Sequence, residues 1–148
     1  MFTKIFYKLI GNAIVQAGRA IKVHNLEMFA ELKYDITPEQ YVVLSMLNDD
    51  VLLHQNELCK ELYKDKSNMA RILSILEEKE LIEKIQTREN SKHVNKIKIT
   101  EKGKKNRAEI EPNIERSRKN YLDGISDDDM YNCIKVLSKI QENLSRKD

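Results

Sequence analysis

The pattern of apolar and polar residues changes along the chain, and its clearest section lies near the middle. Between Lys66 and Lys79, apolar residues recur at intervals of three and four, the spacing of an amphipathic helix. One side of this predicted helix is apolar, while the other is polar and carries a cation. The apolar side consists of Met69, Ile72, Leu73 and Leu76, and the polar side of Ser67, Asn68, Arg71 and Ser74.

A second pattern follows this helix. The apolar pair at 81–82 is separated by the polar segment 87–93 from an alternating run that contains Ile97 and Ile99. Alternation with a period of two indicates strands, so we expect a two-stranded hairpin with residues 87–93 as its polar tip. Residues 51–53 are a candidate for a third, short strand.

Short signals mark where the helices around this section begin. Thr37, Pro38 and Gln40 have the pattern of an N-cap, a first-turn proline and a capping box. Residues 55–63 predict a short helix, and Asp65 is a candidate N-cap for the helix after it. Two helices joined by a short turn and followed by a hairpin form the layout of a winged helix-turn-helix, in which the second helix enters the major groove of DNA.

Both ends of the chain predict amphipathic helices. A helix over residues 1–32 would be about 45 Å long, more than the core of a small domain covers. Its apolar stripe favours pairing with a second copy of the chain, and a helix folded back on its own domain is the alternative. Ser126 is a candidate N-cap for a last helix. The two stripes are Phe2, Ile5, Phe6, Leu9, Ala13, Ala17, Ala20, Ile21, Leu26, Phe29 and Leu32, and Met130, Ile134, Leu137, Ile140 and Leu144.

A further helix is predicted between the hairpin and the last helix. Thr100 is its candidate cap and Gly124 ends it. Pro112 predicts a kink or a break within it, because proline removes one hydrogen bond and clashes with the preceding turn.

Composition favours the same fold class. The 148 residues are 41% hydrophobic and 34% charged, with four Gly and two Pro, which argues against a β-sandwich or a disordered chain. The predicted fold is therefore mainly α with a small β-hairpin wing, an α+β class. No apolar run approaches the roughly 20 residues that span a bilayer. A cytoplasmic location without a membrane partner is expected.

Charge is unevenly distributed along the chain. Residues 60–107 contain 14 Lys or Arg and 8 Asp or Glu, although the whole chain has a net charge of only +2. A basic middle section between acidic ends is typical of binding to a polyanion. The alternative is the solvated surface of a lysine-rich protein.

Four stretches carry a family resemblance: Gln55–Leu62, Asp65–Leu73, Leu76–Lys84 and Lys96–Gly103. Together they resemble the MarR (multiple antibiotic resistance regulator) transcription factors. The resemblance implies a homodimer in which residues 1–35 and 104–148 are dimerisation helices and residues 36–103 are the DNA-binding domain.

The sequence departs from the family pattern at three places. Tyr63 and Glu80 stand where the family usually has glycine. At the wing tip, the family's Asp-x-Arg is replaced by Asn90, Ser91 and Lys92.

The polar side of the predicted recognition helix suits DNA. Asparagine and serine can pair with base edges or phosphates, and arginine can make two hydrogen bonds to guanine. By resemblance, the first turn of this helix and Arg71 contact double-stranded DNA, and a two-fold dimer implies a pseudo-palindromic operator. The predicted DNA-binding residues are Lys66, Ser67, Asn68, Arg71, Ser74, Arg88, Lys92 and His93.

The resemblance also implies a repressor that is relieved by a small aromatic or phenolic effector. Phe29, Tyr34 and Tyr41 are candidates for the wall of its pocket, and the alternative is that they are ordinary core aromatics.

Residue patterns for catalysis are not found in the sequence. The three histidines are scattered, and neither a phosphate-binding glycine motif nor a nucleophile elbow is present. We therefore expect no enzyme, no cofactor and no metal site. Cys59 and Cys133 are expected to be buried reduced thiols. The alternative function is a winged-helix module for protein–protein assembly, which uses the same surface for an acidic partner.

Overall fold

A computed structural model describes residues 2–48 and 52–146, with side chains from residue 4 onward. Six helices and three strands follow one another within these residues. They are α1 (Phe2–Glu31), α2 (Pro38–Met46), β1 (Leu53–His54), α3 (Gln55–Glu61), α4 (Lys66–Glu78), β2 (Ile82–Glu89), β3 (Lys92–Ile99), α5 (Glu101–Tyr121) and α6 (Asp127–Ser145). This mainly helical fold with one small sheet confirms the predicted class. The chain divides into two compact units, Met1–Ile110 and Glu111–Asp148, with the boundary inside α5.

The three strands form one antiparallel sheet in the order β1–β3–β2. β2 and β3 pair over eight positions and form the wing. β1 pairs with β3 through Leu53, which lies opposite Ile97. The predicted third strand is thus confirmed at Leu53 and continues to His54. Leu52 precedes the strand, and Val51 lies outside the described residues.

The tip of the wing is shorter than the sequence predicts. Asn90 and Ser91 form the turn with φ angles of 47° and 65°, while β2 runs to Glu89 and β3 starts at Lys92. Two successive residues in the left-handed region make a two-residue turn whose twist matches that of the strands, and asparagine enters this region readily. The prediction of a tip at 87–93 was wrong, because this tight turn lets the polar residues around it continue the strands.

The apolar side of α4 lies at the centre of the core. Met69, Ile72, Leu73 and Leu76 are each at most 1% exposed, which confirms the predicted packed face. α4 contacts α2, α3 and β2. Full burial of such side chains contributes about 1.5–3 kcal/mol each to the free energy of unfolding. The core also includes Tyr41, Val43, Leu44, Leu47, Leu58, Ile82, Ile97 and Ile99.

Two helix starts carry the predicted caps. The Gln40 N–H donates to Thr37 Oγ1 at 3.2 Å, and the Thr37 N–H donates to Gln40 Oε1 at 3.1 Å, so the capping box is complete. The Asn68 N–H donates to Asp65 Oδ1 at 2.8 Å at the start of α4. Local side-chain chemistry therefore sets where α2 and α4 begin.

The start of α5 is joined to the segment that precedes β2. The Thr100 N–H donates to the Leu81 carbonyl at 3.1 Å, and Thr100 Oγ1 donates to the Glu80 carbonyl at 2.7 Å. The same hydroxyl accepts the Gly103 N–H at 3.0 Å, which confirms Thr100 as a helix cap. A Cβ at Gly103 would lie 2.1 Å from the Leu81 carbonyl oxygen and 2.8 Å from Ile99 Cγ1. This junction therefore has no space for a side chain at position 103.

The later helices agree with the sequence in part. The break considered at Pro112 does not occur, since α5 is continuous from Glu101 to Tyr121. The missing N–H of a proline removes one hydrogen bond, which a helix of this length can lose. Gly124, with a φ of 77°, follows the end of α5 as predicted. The Asp129 N–H donates to Ser126 Oγ at 3.2 Å, which confirms the N-cap of α6.

Large apolar side chains are exposed on α1 and α6. Phe6 is 64% exposed on α1, and Ile134 and Leu144 are 64% and 80% exposed on α6. No side chain of α6 within 127–145 is buried. Cys133 on this helix is exposed, so its predicted burial was wrong, while Cys59 is half-buried. Within residues 2–48 and 52–146, none of the helices has the length and apolarity needed to cross a membrane.

Glu80 adopts the left-handed conformation that favours glycine, with a φ of 61°. We expect Glu80→Gly to raise the free energy of unfolding by about 0.5–1 kcal/mol, because relief of the left-handed strain exceeds the entropy that glycine loses. Urea denaturation followed by circular dichroism measures this change. Glu78→Gly is the matched control: this residue is helical in α4, so the same substitution there should lower stability by about 1 kcal/mol. An equal decrease in the free energy of unfolding for both variants would show that the backbone at position 80 is unstrained.

Candidate DNA interface

A short turn between α3 and α4 brings the start of α4 to the surface. Tyr63 has a φ of 49°, and the Lys64 N–H donates to the Cys59 carbonyl at 3.0 Å. This left-handed turn ends α3 and leads directly to the cap at Asp65. α3 and α4 are therefore the two helices of a helix-turn-helix, and Tyr63 takes the conformation for which the family resemblance favours glycine.

Five of the predicted DNA-binding residues lie on α4. Lys66, Ser67, Arg71 and Ser74 are exposed, and Asn68 is half-buried. Arg71 Nη2 donates to Asn68 Oδ1 at 3.1 Å, and the Arg71 side chain is 63% exposed. The structure thus presents the predicted polar side to solvent and joins Asn68 and Arg71 as a hydrogen-bonded pair.

A carboxylate from α2 lies beside this pair. Lys64 Nζ donates a hydrogen bond to Glu39 Oε1, and Arg71 Nη2 lies 4.0 Å from Glu39 Oε2. The pKa of Glu39 lies below its ordinary value of 4.5, first because of the Lys64 hydrogen bond and with a further contribution from the positive charge of Lys64. Glu39 is therefore ionised at neutral pH.

Sequence reasoning missed Glu39 and Lys64. The two residues are separated by 25 positions in the chain, and no local sequence pattern joins them. Their contact results from the packing of α2 against α4. A helix-start signal locates Glu39 on α2, yet nothing in the sequence indicates which side chain it meets.

The predicted residues of the wing are divided between its two faces. Arg88 lies opposite His93, whereas Lys92 lies opposite Glu89. Successive side chains of a strand point to opposite faces, so Arg88 and His93 share one face and Lys92 lies on the other. All three are exposed. The wing therefore offers two different polar surfaces near its tip.

Glu89 gives the face that carries Lys92 a negative charge. Its carboxylate lies 2.5 Å from Lys96 Nζ and 3.2 Å from His54 Nε2. The hydrogen bond from Lys96 is the main reason why the pKa of Glu89 lies below its ordinary value of 4.5. These contacts connect β2, β3 and the residue that precedes α3.

A cavity of about 590 Å³ lies beside the helix-turn-helix. Its walls come from α1, α2 and α4 and include Lys22, Glu39, Lys64 and Arg71. The rest of the wall is partly apolar, as at Ile21, and partly polar and uncharged. The cavity thus combines apolar surface with three cations and one carboxylate next to the exposed face of α4.

The three aromatic residues predicted for a ligand pocket pack against one another. The Phe29 ring contacts Tyr34 edge-on at 5.1 Å and Tyr41 at 6.0 Å between ring centres. Phe29 and Tyr41 are 4% and 2% exposed. The cluster has the packing of core aromatics, and a ligand contact at these residues stays a prediction.

These features define a class of protein. Two helices joined by a short turn, an exposed polar face on the second and an antiparallel hairpin after it make a winged helix-turn-helix. Residues 34–92 match the model of the MarR family.

Solved structures extend the likeness beyond that segment. The transcriptional regulator SlyA is 26% identical, with a TM-score of 0.78 over 93% of this chain and 94% of its own. The transcriptional regulator PA3341 is 25% identical, with a TM-score of 0.78 over 93% of this chain and 98% of its own. MepR from S. aureus, solved in complex with DNA, shares the fold at 20% identity, with a TM-score of 0.78 over 92% of this chain and 96% of its own.

Proposed function

We propose that this chain is a sequence-specific double-stranded DNA-binding transcriptional regulator, acting as a homodimeric repressor relieved by a small ligand. The exposed polar face of α4 carries the proposal, because it joins Asn68 and Arg71 on the helix that reads DNA in this fold. The regulator names of SlyA and PA3341 and the DNA complex of MepR support the same function.

Different residues have different proposed roles on the duplex. Asn68 and Arg71 read base edges in the major groove, where asparagine and arginine recognise adenine and guanine by paired hydrogen bonds. Lys66, Ser67 and Ser74 contact phosphates and set the register of the helix. The cations of the wing, Arg88 and Lys92, together with His93, follow the neighbouring backbone or enter the minor groove.

The homodimer is supported by the exposed apolar residues of α1 and α6. Side chains such as Phe6, Leu9 and Ile134 are more than half-exposed, and burying them against a second copy is favourable. In a two-fold dimer the two α4 helices would meet successive major grooves, about 34 Å apart. The operator would then be a pseudo-palindrome.

Relief by a ligand is supported by the cavity beside α4. Its apolar and cationic walls suit a small aromatic or phenolic compound, and Arg71 belongs both to the cavity and to the proposed DNA surface. A ligand that binds better to a conformation unsuited to DNA would weaken DNA binding by that difference in affinity.

A titration of the purified protein with duplexes selected from a random-sequence library tests the function. We expect a preferred duplex to bind at least about 1,000-fold more tightly than a scrambled duplex of the same composition. Because cations meet phosphates, both affinities should fall by about 100-fold or more between 50 and 200 mM salt.

Two controls accompany this titration. Sedimentation of the complex should give two chains per duplex. Weak binding that is indifferent to sequence would reject the regulator and favour the protein–protein assembly module.

A further inference from the structure

We propose that Glu39 is a positioning residue that holds the Asn68–Arg71 pair in its base-reading arrangement and so raises selectivity among DNA sequences. This inference rests on the proposed DNA-binding function. The residue lies on α2, outside the helix-turn-helix, and we infer that it acts through its neighbours and does not itself read bases.

The backbone of Glu39 is held firmly. It follows Pro38 in the first turn of α2, between the two partners of the capping box, Thr37 and Gln40. Gln40 is 7% exposed, so this turn is packed into the core. The Glu39 carboxylate therefore extends from a fixed point toward α4.

The carboxylate attracts the guanidinium of Arg71. Arg71 Nη2 lies 4.0 Å from Glu39 Oε2, within ion-pair distance, and the same nitrogen donates to Asn68 Oδ1 at 3.1 Å. One end of the guanidinium is therefore held both by the Asn68 oxygen and by the charge of Glu39. Without Glu39, Arg71 keeps only the hydrogen bond to Asn68, and its exposed side chain can leave this arrangement.

Lys64 keeps the carboxylate in place. Its Nζ atom donates to Glu39 Oε1, and its side chain is only 16% exposed. Arg71 Nη2 is 4.0 Å from the other carboxylate oxygen, too far for a direct hydrogen bond. Glu39 therefore acts on Arg71 through its charge, and the other donors of the guanidinium stay available for DNA.

Glu39 also places a negative charge beside two cations that would approach DNA. Neutralising it should strengthen attraction to any phosphate backbone. Loss of alignment should weaken discrimination between bases. The two effects have opposite signs, and this separates positioning from a general loss of stability, which would weaken binding to every duplex.

The experiment compares Glu39→Gln and Glu39→Asp with wild type in full-length protein, on the preferred and scrambled duplexes at one salt concentration. We expect Glu39→Gln to bind the scrambled duplex about threefold more tightly and to lose about tenfold in the ratio of preferred to scrambled affinity. Glu39→Asp keeps the charge but shortens the side chain. The ratio of preferred to scrambled affinity should therefore fall while the affinity for the scrambled duplex stays unchanged.

Glu77→Gln is the matched control. Glu77 also forms an ion pair with a lysine, with its Oε2 atom 3.0 Å from Lys84 Nζ, but it lies near the other end of α4. It should leave the ratio unchanged. An unchanged ratio in both Glu39 variants, or an equal gain on both duplexes, would overturn the positioning role. A wild-type protein without any preference would instead reject the proposed function, so the two failures are distinguishable.

Discussion

Arg71→Ala is expected to weaken binding to the preferred duplex by roughly 10- to 100-fold per half-site and to reduce selectivity by a similar factor. A well-placed arginine that reads a base contributes about 1–3 kcal/mol of discrimination. Arg71 is exposed, lies on α4 and is aligned by Asn68, so its guanidinium is available without a rearrangement of the fold. Equilibrium titration with preferred and scrambled duplexes measures both quantities.

The control for this substitution is Arg146→Ala. Arg146 also pairs with a carboxylate, Glu142 on α6, and its removal changes the net charge equally. It should change the affinity for both duplexes little and leave their ratio unchanged. If Arg71→Ala weakened both duplexes equally, Arg71 would be a phosphate contact and the base reader would lie elsewhere on α4.

Gly103→Ala is expected to lower the free energy of unfolding by about 3 kcal/mol. Alanine in place of glycine usually stabilises a helix, but here its Cβ would lie 2.1 Å from the Leu81 carbonyl oxygen. A backbone carbonyl cannot rotate away, so α5 or the segment before β2 must shift, and forced overpacking of this kind costs about 1–3 kcal/mol or more. The Thr100 hydrogen bond to the same carbonyl would be strained as well. Urea denaturation followed by circular dichroism measures the loss.

Gly11→Ala serves as the matched control for this prediction. Gly11 lies within α1, and a Cβ there meets nothing within 4 Å. The substitution should raise the free energy of unfolding by about 0.5–1 kcal/mol, because alanine has the higher helix propensity. A stable Gly103→Ala protein would mean that the junction at Leu81 relaxes easily.

Local signals allowed much of the fold to be predicted. The apolar side of α4 could be predicted from spacing, because a helix that packs on one side needs apolar residues at intervals of three and four positions. The starts of α2, α4, α5 and α6 follow from Thr37, Asp65, Thr100 and Ser126, whose side chains cap nearby backbone groups. Such signals act within four residues, so one sequence is enough to find them.

Other features depend on contacts between distant residues. The approach of Glu39 to Lys64 needs the packing of two helices, which no local pattern encodes. The steric reason for glycine at position 103 depends on Leu81, a residue 22 positions earlier that another element brings close. The length of the wing was predicted wrongly although it depends on a local feature, the left-handed turn at Asn90 and Ser91. The residues on either side of this turn are polar, and a run of polar residues resembles a loop in the sequence.

The two-residue turn at Asn90 and Ser91 limits how the wing can change in length during evolution. The register leaves Ile97 and Ile99 on the buried face, and a single residue inserted into one strand would force a bulge or move every later side chain to the opposite face. Adding one residue to each strand at the tip keeps the base of the wing unchanged. Relatives that keep the two-residue turn and have no bulge should therefore have wings that differ from this one by even numbers of residues.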